Sequence, residues 1–151
     1  MEIPAKPLPG MVLSYSYLWN REAEKGGTSG RKDRPAAIVL VRTDAGPGEL
    51  VYVVPITHSA PAQGGNTKIP IPQAIKERLG LDEDPSWVDV TEYNIFVWPG
   101  YDLKPTKTRR GASSSKGATC LYGFLPGKFF DRIKRALNAY RLSDKPSLVR
   151  R

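Results

Sequence analysis

Two strand boundaries hold the residue types best suited to handling a phosphate. One runs Gly30-Arg31-Lys32-Asp33-Arg34-Pro35 into an apolar stretch, and the other runs Pro55-Ile56-Thr57-His58 out of one. A guanidinium offers two parallel, charge-assisted hydrogen bonds to an oxyanion, and a threonine hydroxyl adds a neutral donor. If the two stretches pair antiparallel, their boundaries meet at the same edge of a sheet. Arg34 and Thr57 then converge on one phosphodiester. A plainer explanation uses the same residues: Arg34 as a surface ion-pair partner and Thr57 as a β-former. Residue types alone leave both open. Arg31, Lys32, His58 and Ser59 flank the pair and are further candidates. Strand alternation turns His58 away from Thr57, which suits it to substrate binding more than to proton transfer.

Other chemistries are poorly served. His58 is the sole histidine and Cys120 the sole cysteine, so a two-histidine nuclease, a histidine-rich or cysteine-rich metal site and an internal disulfide are excluded. No phosphate-binding glycine loop of the Lys-Ser/Thr kind and no dinucleotide fingerprint occurs. Asp82, Glu83 and Asp84 beside a helix end fit a solvated turn better than a metal site. No cofactor or metal is expected. The net charge of +8 makes a polyanion partner plausible. Lys104, Lys107, Arg109, Arg110 and Lys116 form a stretch without acidic residues, preceded by Tyr93, Phe96, Trp98 and Tyr101. Cations with stacking aromatics suit a single-stranded nucleic acid, and Trp98 is the stacking candidate, although some of these aromatics belong to a core.

The elements that would position these residues follow from periodicity. Met11 to Trp19 alternates as a strand with Leu13, Tyr15, Tyr17 and Trp19 on one side. Asn20 to Arg34 reads as a long surface loop. Ala36 to Val41 and Leu50 to Ile56 are apolar throughout, which predicts a central hairpin buried on both faces. Lys68 to Pro72 is an edge strand because its prolines cannot donate to a ladder. A short helix over Gln73 to Leu79 should stop at Gly80. Trp87 to Trp98 is a long strand with a bend near Glu92 to Asn94, and Thr119 to Phe124 is a last short strand. Leu125 to Tyr140 is an amphipathic helix with Phe129, Ile133, Ala136, Leu137 and Tyr140 on one face. A single domain over 1–151 is expected, with a core of about 10–141 and flexible flanks at 1–9 and 143–151. The whole reads as mainly β with α additions, a bent and partly closed antiparallel barrel with a C-terminal helix. The absence of a signal-peptide core or a membrane-length apolar run suggests a soluble, cytoplasmic chain.

The order Gly10-Met11-Val12-Leu13-Ser14-Tyr15, a glycine-rich loop, Arg34-Pro35-Ala36-Ala37-Ile38-Val39-Leu40 and then Val53-Val54-Pro55-Ile56-Thr57 resembles the MazF/PemK family of toxin endoribonucleases. The likeness extends over about Gly10 to Tyr140, and Arg-Pro with Pro-Ile-Thr is its specific part. It implies the SH3-like barrel of the CcdB and MazF toxins, with Arg34 and Thr57 as the catalytic arginine and threonine. It also implies metal-independent cleavage of single-stranded RNA, mRNA included, by attack of the 2′-hydroxyl on the adjacent phosphate, leaving a 2′,3′-cyclic phosphate and a 5′-hydroxyl. A homodimer and a cognate acidic antitoxin, with no membrane partner, complete what the resemblance implies. The alternative on the same barrel is a non-catalytic nucleic-acid binder or a topoisomerase-poisoning toxin. The first loop and Tyr101 to Ala118 are longer than the family pattern, so cut-site preference does not carry over.

Overall fold

The chain runs β1 (Met11–Tyr15), α1 (Asn20–Glu24), β2 (Arg34–Arg42), β3 (Leu50–Thr57), β4 (Lys68–Pro70), α2 (Gln73–Leu79), β5 (Trp87–Asp89), β6 (Glu92–Val97), β7 (Leu121–Phe124), α3 (Gly127–Ser143) and β8 (Ser147–Arg150). The structure, a computed structural model, describes residues 1–27, 32–43, 46, 48–107, 118–143 and 146–151. The strands form one eight-stranded sheet whose main path is β4-β5-β3-β2-β1-β7, with β6 beside β3 and β8 beside β6. Among the described residues it is an open sheet and not the partly closed barrel expected from the sequence, because β4 and β7 end its main path without pairing to each other. All pairings are antiparallel except the parallel pair of β6 and β8.

Alternation along the central strands sorts their side chains into two cores, one on each face of the sheet. Leu13, Tyr15, Ala36, Ile38, Val51 and Val53 pack on one face with Tyr17, Trp19, Phe96 and Trp98. Val12, Ala37, Val39, Val54 and Ile56 pack on the other with Leu79, Val88, Phe129 and Ile133. The run of β-branched residues in β2 and β3 is explained by this double burial, as the sequence predicts. Phe129 and Ile133 of α3 are buried, and Ala136, Leu137 and Tyr140 pack beside them on the face that periodicity assigned. α3 starts at Gly127 rather than Leu125 because Pro126 sits ahead of its first turn.

α2 ends where the sequence places its stop, with Gly80 in the left-handed conformation at φ 69°. β4 is the edge strand its prolines require. The long Trp87 to Trp98 strand is split in two. Val53 faces Asn94 while Ile56 faces Val88, so Val54 and Pro55 stand against Asp89 through Tyr93, a wide bulge. Pro55, with no amide proton to share, sits in that gap. Glu92 and Asp89 are thereby freed from regular pairing with β3.

Three expectations need correction. Asn20 to Glu24 is a turn of helix, not loop: the Glu22 carboxylate accepts the Trp19 N–H at 3.3 Å and the Trp19 carbonyl accepts the Glu22 N–H at 2.9 Å. This local cap is too short to leave an apolar period. The tail beyond Ser143, expected to fray, instead supplies β8 and its continuation Arg151. Arg151 donates to the Ser16 carbonyl at 2.9 Å and to Asn94 Oδ1 at 3.0 Å, and it pairs with Asp102 at 2.7 Å. The N-terminal flank is also held, since the Glu2 N–H donates to the Ala118 carbonyl and Trp98 Nε1 donates to the Pro4 carbonyl at 3.0 Å.

Asn94 is the hinge of this arrangement. It is fully buried, accepts the Leu18 N–H at 3.0 Å and donates to the Leu18 carbonyl at 2.8 Å, in place of a strand partner. Asn94→Ala removes the side-chain partner of both Leu18 groups and one acceptor of Arg151 Nη1. We predict a loss of about 2 kcal/mol or more, read as a lower urea midpoint at unchanged slope.

Candidate functional site

Pairing of β2 with β3 sets Ala36 across from Pro55, and continuing that register to the strand ends sets Arg34 across from Thr57. Side chains at such positions share a face with their Cβ atoms about 5 Å apart. On its other side Arg34 lies across from Tyr15 of β1, so the arginine is central in the sheet. Beside the pair opens a cavity of about 540 Å³ whose walls include Trp19, Lys32, Arg34, Thr57, His58, Ser59, Lys68, Asp82, Asp89, Glu92, Lys107 and Tyr122. That is the size of pocket that takes a ligand of a few rings or nucleotide units.

Arg34 is held by stacking. Its guanidinium carbon lies 5.0 Å from the centre of the Trp19 ring, and the guanidinium of Arg21 lies 5.1 Å from the same ring. Such contacts contribute about 1–2 kcal/mol where water is partly excluded. Arg34 Nε is buried without a hydrogen-bond partner. Partial burial pulls the Arg34 pKa below its ordinary value, opposed by the nearby Glu22 carboxylate. The desolvated guanidinium thus gains more from an arriving anion than a hydrated one would. Trp19 was not singled out by the sequence as a site residue. Its place on the Leu13-Tyr15-Tyr17-Trp19 side of the strand was the available signal.

Thr57 is buried, and its Oγ1 accepts the Ser59 N–H at 3.1 Å. That bond uses an oxygen lone pair and leaves the hydroxyl proton free to donate. Ser59 itself is exposed on the cavity wall, and its carbonyl accepts a hydrogen bond from Lys68 at 3.1 Å. β3 ends at Thr57, so alternation does not carry His58 away: both residues line the cavity.

His58 is gripped from two sides. Its Nε2 lies 2.8 Å from Asp82 Oδ2 and its Nδ1 lies 2.8 Å from the Pro85 carbonyl, with Ser86 Oγ at 3.2 Å. This serine, histidine and aspartate do not make a nucleophilic triad. The nitrogen nearest Ser86 faces a carbonyl at shorter range, so it carries a proton and cannot accept one. Asp82 is also bonded at 3.0 Å by the buried ammonium of Lys76, which donates in addition to the Asp84 carbonyl. Partial burial pushes the Asp82 pKa up, but Lys76 and His58 outweigh it and hold the carboxyl below its ordinary value. His58, Asp82 and Asp84 are, among the described residues, the group whose potential metal-ligand atoms lie within 4.8 Å of one another. The Lys76 ammonium already supplies the positive charge that Asp82 faces. The acidic trio lies exposed at a bend, as the sequence suggested, with the Asp82 side chain anchored there by Lys76 and His58.

The remaining candidates divide. Lys32 and Lys107 line the cavity, joined by Lys68, which sequence reasoning had passed over. Lys104 is tied to β1, donating its N–H to the Ser14 carbonyl, and is not on the described cavity wall. Trp98 is a correction: it is buried at 8% exposure in the first core beside Phe96, with its indole N–H used by Pro4. Arg31, Arg109 and Arg110 lie outside the described residues. No helix among the described residues is long and apolar enough to cross a membrane. No protein-family model matches the chain, and no curated protein is significantly similar to it.

The Asp82 contacts give a pH signature. A carboxyl held below its ordinary 3.8 contributes stability that is complete above that pH and is lost as pH falls through the lowered value. Urea midpoints of the wild type and Asp82→Asn should therefore differ at pH 6 and converge as the pH is taken below about 4.

Proposed function

We propose that this chain is a metal-independent endoribonuclease of the MazF/PemK toxin kind, built on an SH3-like variant of its bent sheet. The observation that carries the proposal is the opposition of Arg34 and Thr57 on one cavity wall, with Arg34 desolvated and stacked on Trp19. Metal-independent cleavage of RNA needs three things from a protein. It must orient the 2′-hydroxyl in line with the scissile P–O5′ bond, stabilise the charge gathering on the non-bridging oxygens, and hold the flanking chain.

Arg34 supplies two parallel N–H donors to those oxygens as they become more negative. The Thr57 hydroxyl, with Ser59 N–H fixing its lone pairs, donates to one of them. Both gain strength in the transition state because the charge they face grows there. Lys32, Lys68 and Lys107 surround the same cavity and neutralise adjoining phosphates. Tyr122 offers ring surface on its wall, while buried Trp19 carries Arg34. In this reading the protein acts as a homodimer on single-stranded RNA and is silenced by an acidic antitoxin drawn to the same basic surface.

Purified chain should cut a single-stranded RNA in EDTA, leaving a 2′,3′-cyclic phosphate. Arg34→Ala and Thr57→Ala should each lower the rate by about 100-fold or more while the protein stays folded, with a midpoint lowered only by the lost stacking contact or hydrogen bond. RNA that is bound but left intact would instead favour the non-catalytic binder or topoisomerase-poisoning toxin. Lys107→Ala should weaken binding across sequences and reduce the steepness of its salt dependence by about 0.7 in log–log slope, measured by fluorescence anisotropy.

A further inference from the structure

The pair Arg34 and Thr57 provides donors, but neither readily takes the proton of the attacking 2′-hydroxyl. A guanidinium stays protonated at working pH, and a threonine hydroxyl is far too weakly basic. His58 is a poor acceptor as placed, since both ring nitrogens face oxygens that need a proton from them. If the site cleaves RNA, the base has to be found elsewhere on the cavity wall.

Asp89 and Glu92 are the remaining carboxylates that line the cavity apart from Asp33 and Asp82. Asp89 is buried at 6% exposure, and its Oδ1 is closed into its own turn by the Thr91 N–H at 2.9 Å and the Thr91 hydroxyl at 2.6 Å. Asp33 also lines the cavity but precedes β2, and among the described residues no donor orients its carboxyl as Asn20 and Tyr17 orient that of Glu92. Glu92 is different. It begins β6 at the wide bulge and is half-buried, and its hydrogen bonds among the described residues all fall on Oε1. That oxygen accepts the Asn20 N–H at 3.0 Å and the Tyr17 hydroxyl at 3.4 Å. One oxygen is thus fixed by the segment that carries Trp19, and the other accepts no hydrogen bond among the described residues. The same segment holds Arg34, so one short stretch of backbone sets the distance between guanidinium and carboxylate.

We propose that Glu92 is the general base of the cleavage reaction, a role that rests on the ribonuclease reading given above. The 2′-hydroxyl proton passes to Glu92 Oε2 as the 2′ oxygen bonds to phosphorus. The P–O5′ bond breaks, the departing 5′ oxygen takes a proton from solvent, and Glu92 returns its own proton to solvent to reset the site.

The surroundings favour the assignment. Burial raises the Glu92 pKa above its ordinary value; the Asn20 N–H opposes this, the Asp89 charge adds to it, and the Tyr17 hydroxyl and the Arg21 charge oppose it. A carboxylate moved toward neutrality accepts a proton more readily than a free one while staying ionised at working pH. Asn20 and Tyr17 donate to Oε1, which orients the group.

Glu92→Gln keeps the acceptor oxygen for Asn20 and Tyr17 and removes only the basic one, so it tests chemistry apart from folding. The measurement is kcat/KM and KM against pH for a short single-stranded RNA, with wild type, Glu92→Gln and Arg34→Ala side by side. Wild type should show an acidic limb whose midpoint lies above the ordinary carboxylate range. Glu92→Gln should lose about 100-fold or more in kcat with little change in KM, and its acidic limb should vanish. Carbon-13 NMR of the labelled Glu92 carboxyl should titrate at the same midpoint. Full activity of Glu92→Gln with an unchanged profile would overturn the role of Glu92 and leave the nuclease standing. A wild type that leaves RNA intact would overturn the nuclease reading, and the base with it.

Discussion

Antiparallel pairing of β2 with β3 decides which side chains share a face, and a slip of one residue would turn Arg34 and Thr57 to opposite sides of the sheet. Both strands are buried on both faces, so such a slip would exchange two complete cores at once. Alanine, isoleucine and valine of the first core would trade places with those of the second. The register is therefore among the most firmly specified features of the chain. The two polar residues at its ends inherit that precision from the register, with the Trp19 ring and the Ser59 N–H adding local support. A site at the mouth of a rigid hairpin needs little further organisation to bring a cation and a hydroxyl together.

Around that fixed pair lies a softer construction. The segment from Leu18 to Glu24 has no strand partner of its own on the β2 side. It is held by Asn94 through Leu18, by Glu22 capping Trp19 and by Glu92 receiving the Asn20 N–H. Each is a side chain substituting for a missing ladder bond, as buried backbone groups require. The wide bulge at Pro55 is what makes these side chains available, because it withdraws Asp89 and Glu92 from pairing with β3. One proline in β3 thus has effects on two neighbouring strands.

The parts of this arrangement legible in the sequence are those governed by short-range periodicity. The β2–β3 hairpin, the edge strand with its prolines, the Gly80 stop and the apolar face of α3 all follow from spacing and residue type. Arg34, Thr57, Lys32 and Lys107 reach the cavity because strand ends converge. What periodicity could not convey is contact between distant segments. Glu92, Asp82 and Trp19 have partners 72, 24 and 15 residues away in sequence: Asn20, His58 and Arg34. Trp98 looked like a stacking platform because an aromatic beside a basic stretch carries no mark of which way it faces. β8 is four residues with two polar ends, and only its parallel seat beside β6 gives it a structure.

The Arg151 anchor also says something about time. Its bond to the Ser16 carbonyl spans 135 residues, among the longest separations in the chain. Contacts of that reach are closed against the largest chain entropy and so tend to form late. During synthesis the hairpin bearing Arg34 and Thr57 can pair long before Arg151 exists to brace Asn94 and the Leu18 segment. A nascent chain would carry the arginine without a firm aromatic shelf beneath it. Order of emergence would then keep the cavity unfinished until residues 147–151 have been made and have docked beside β6.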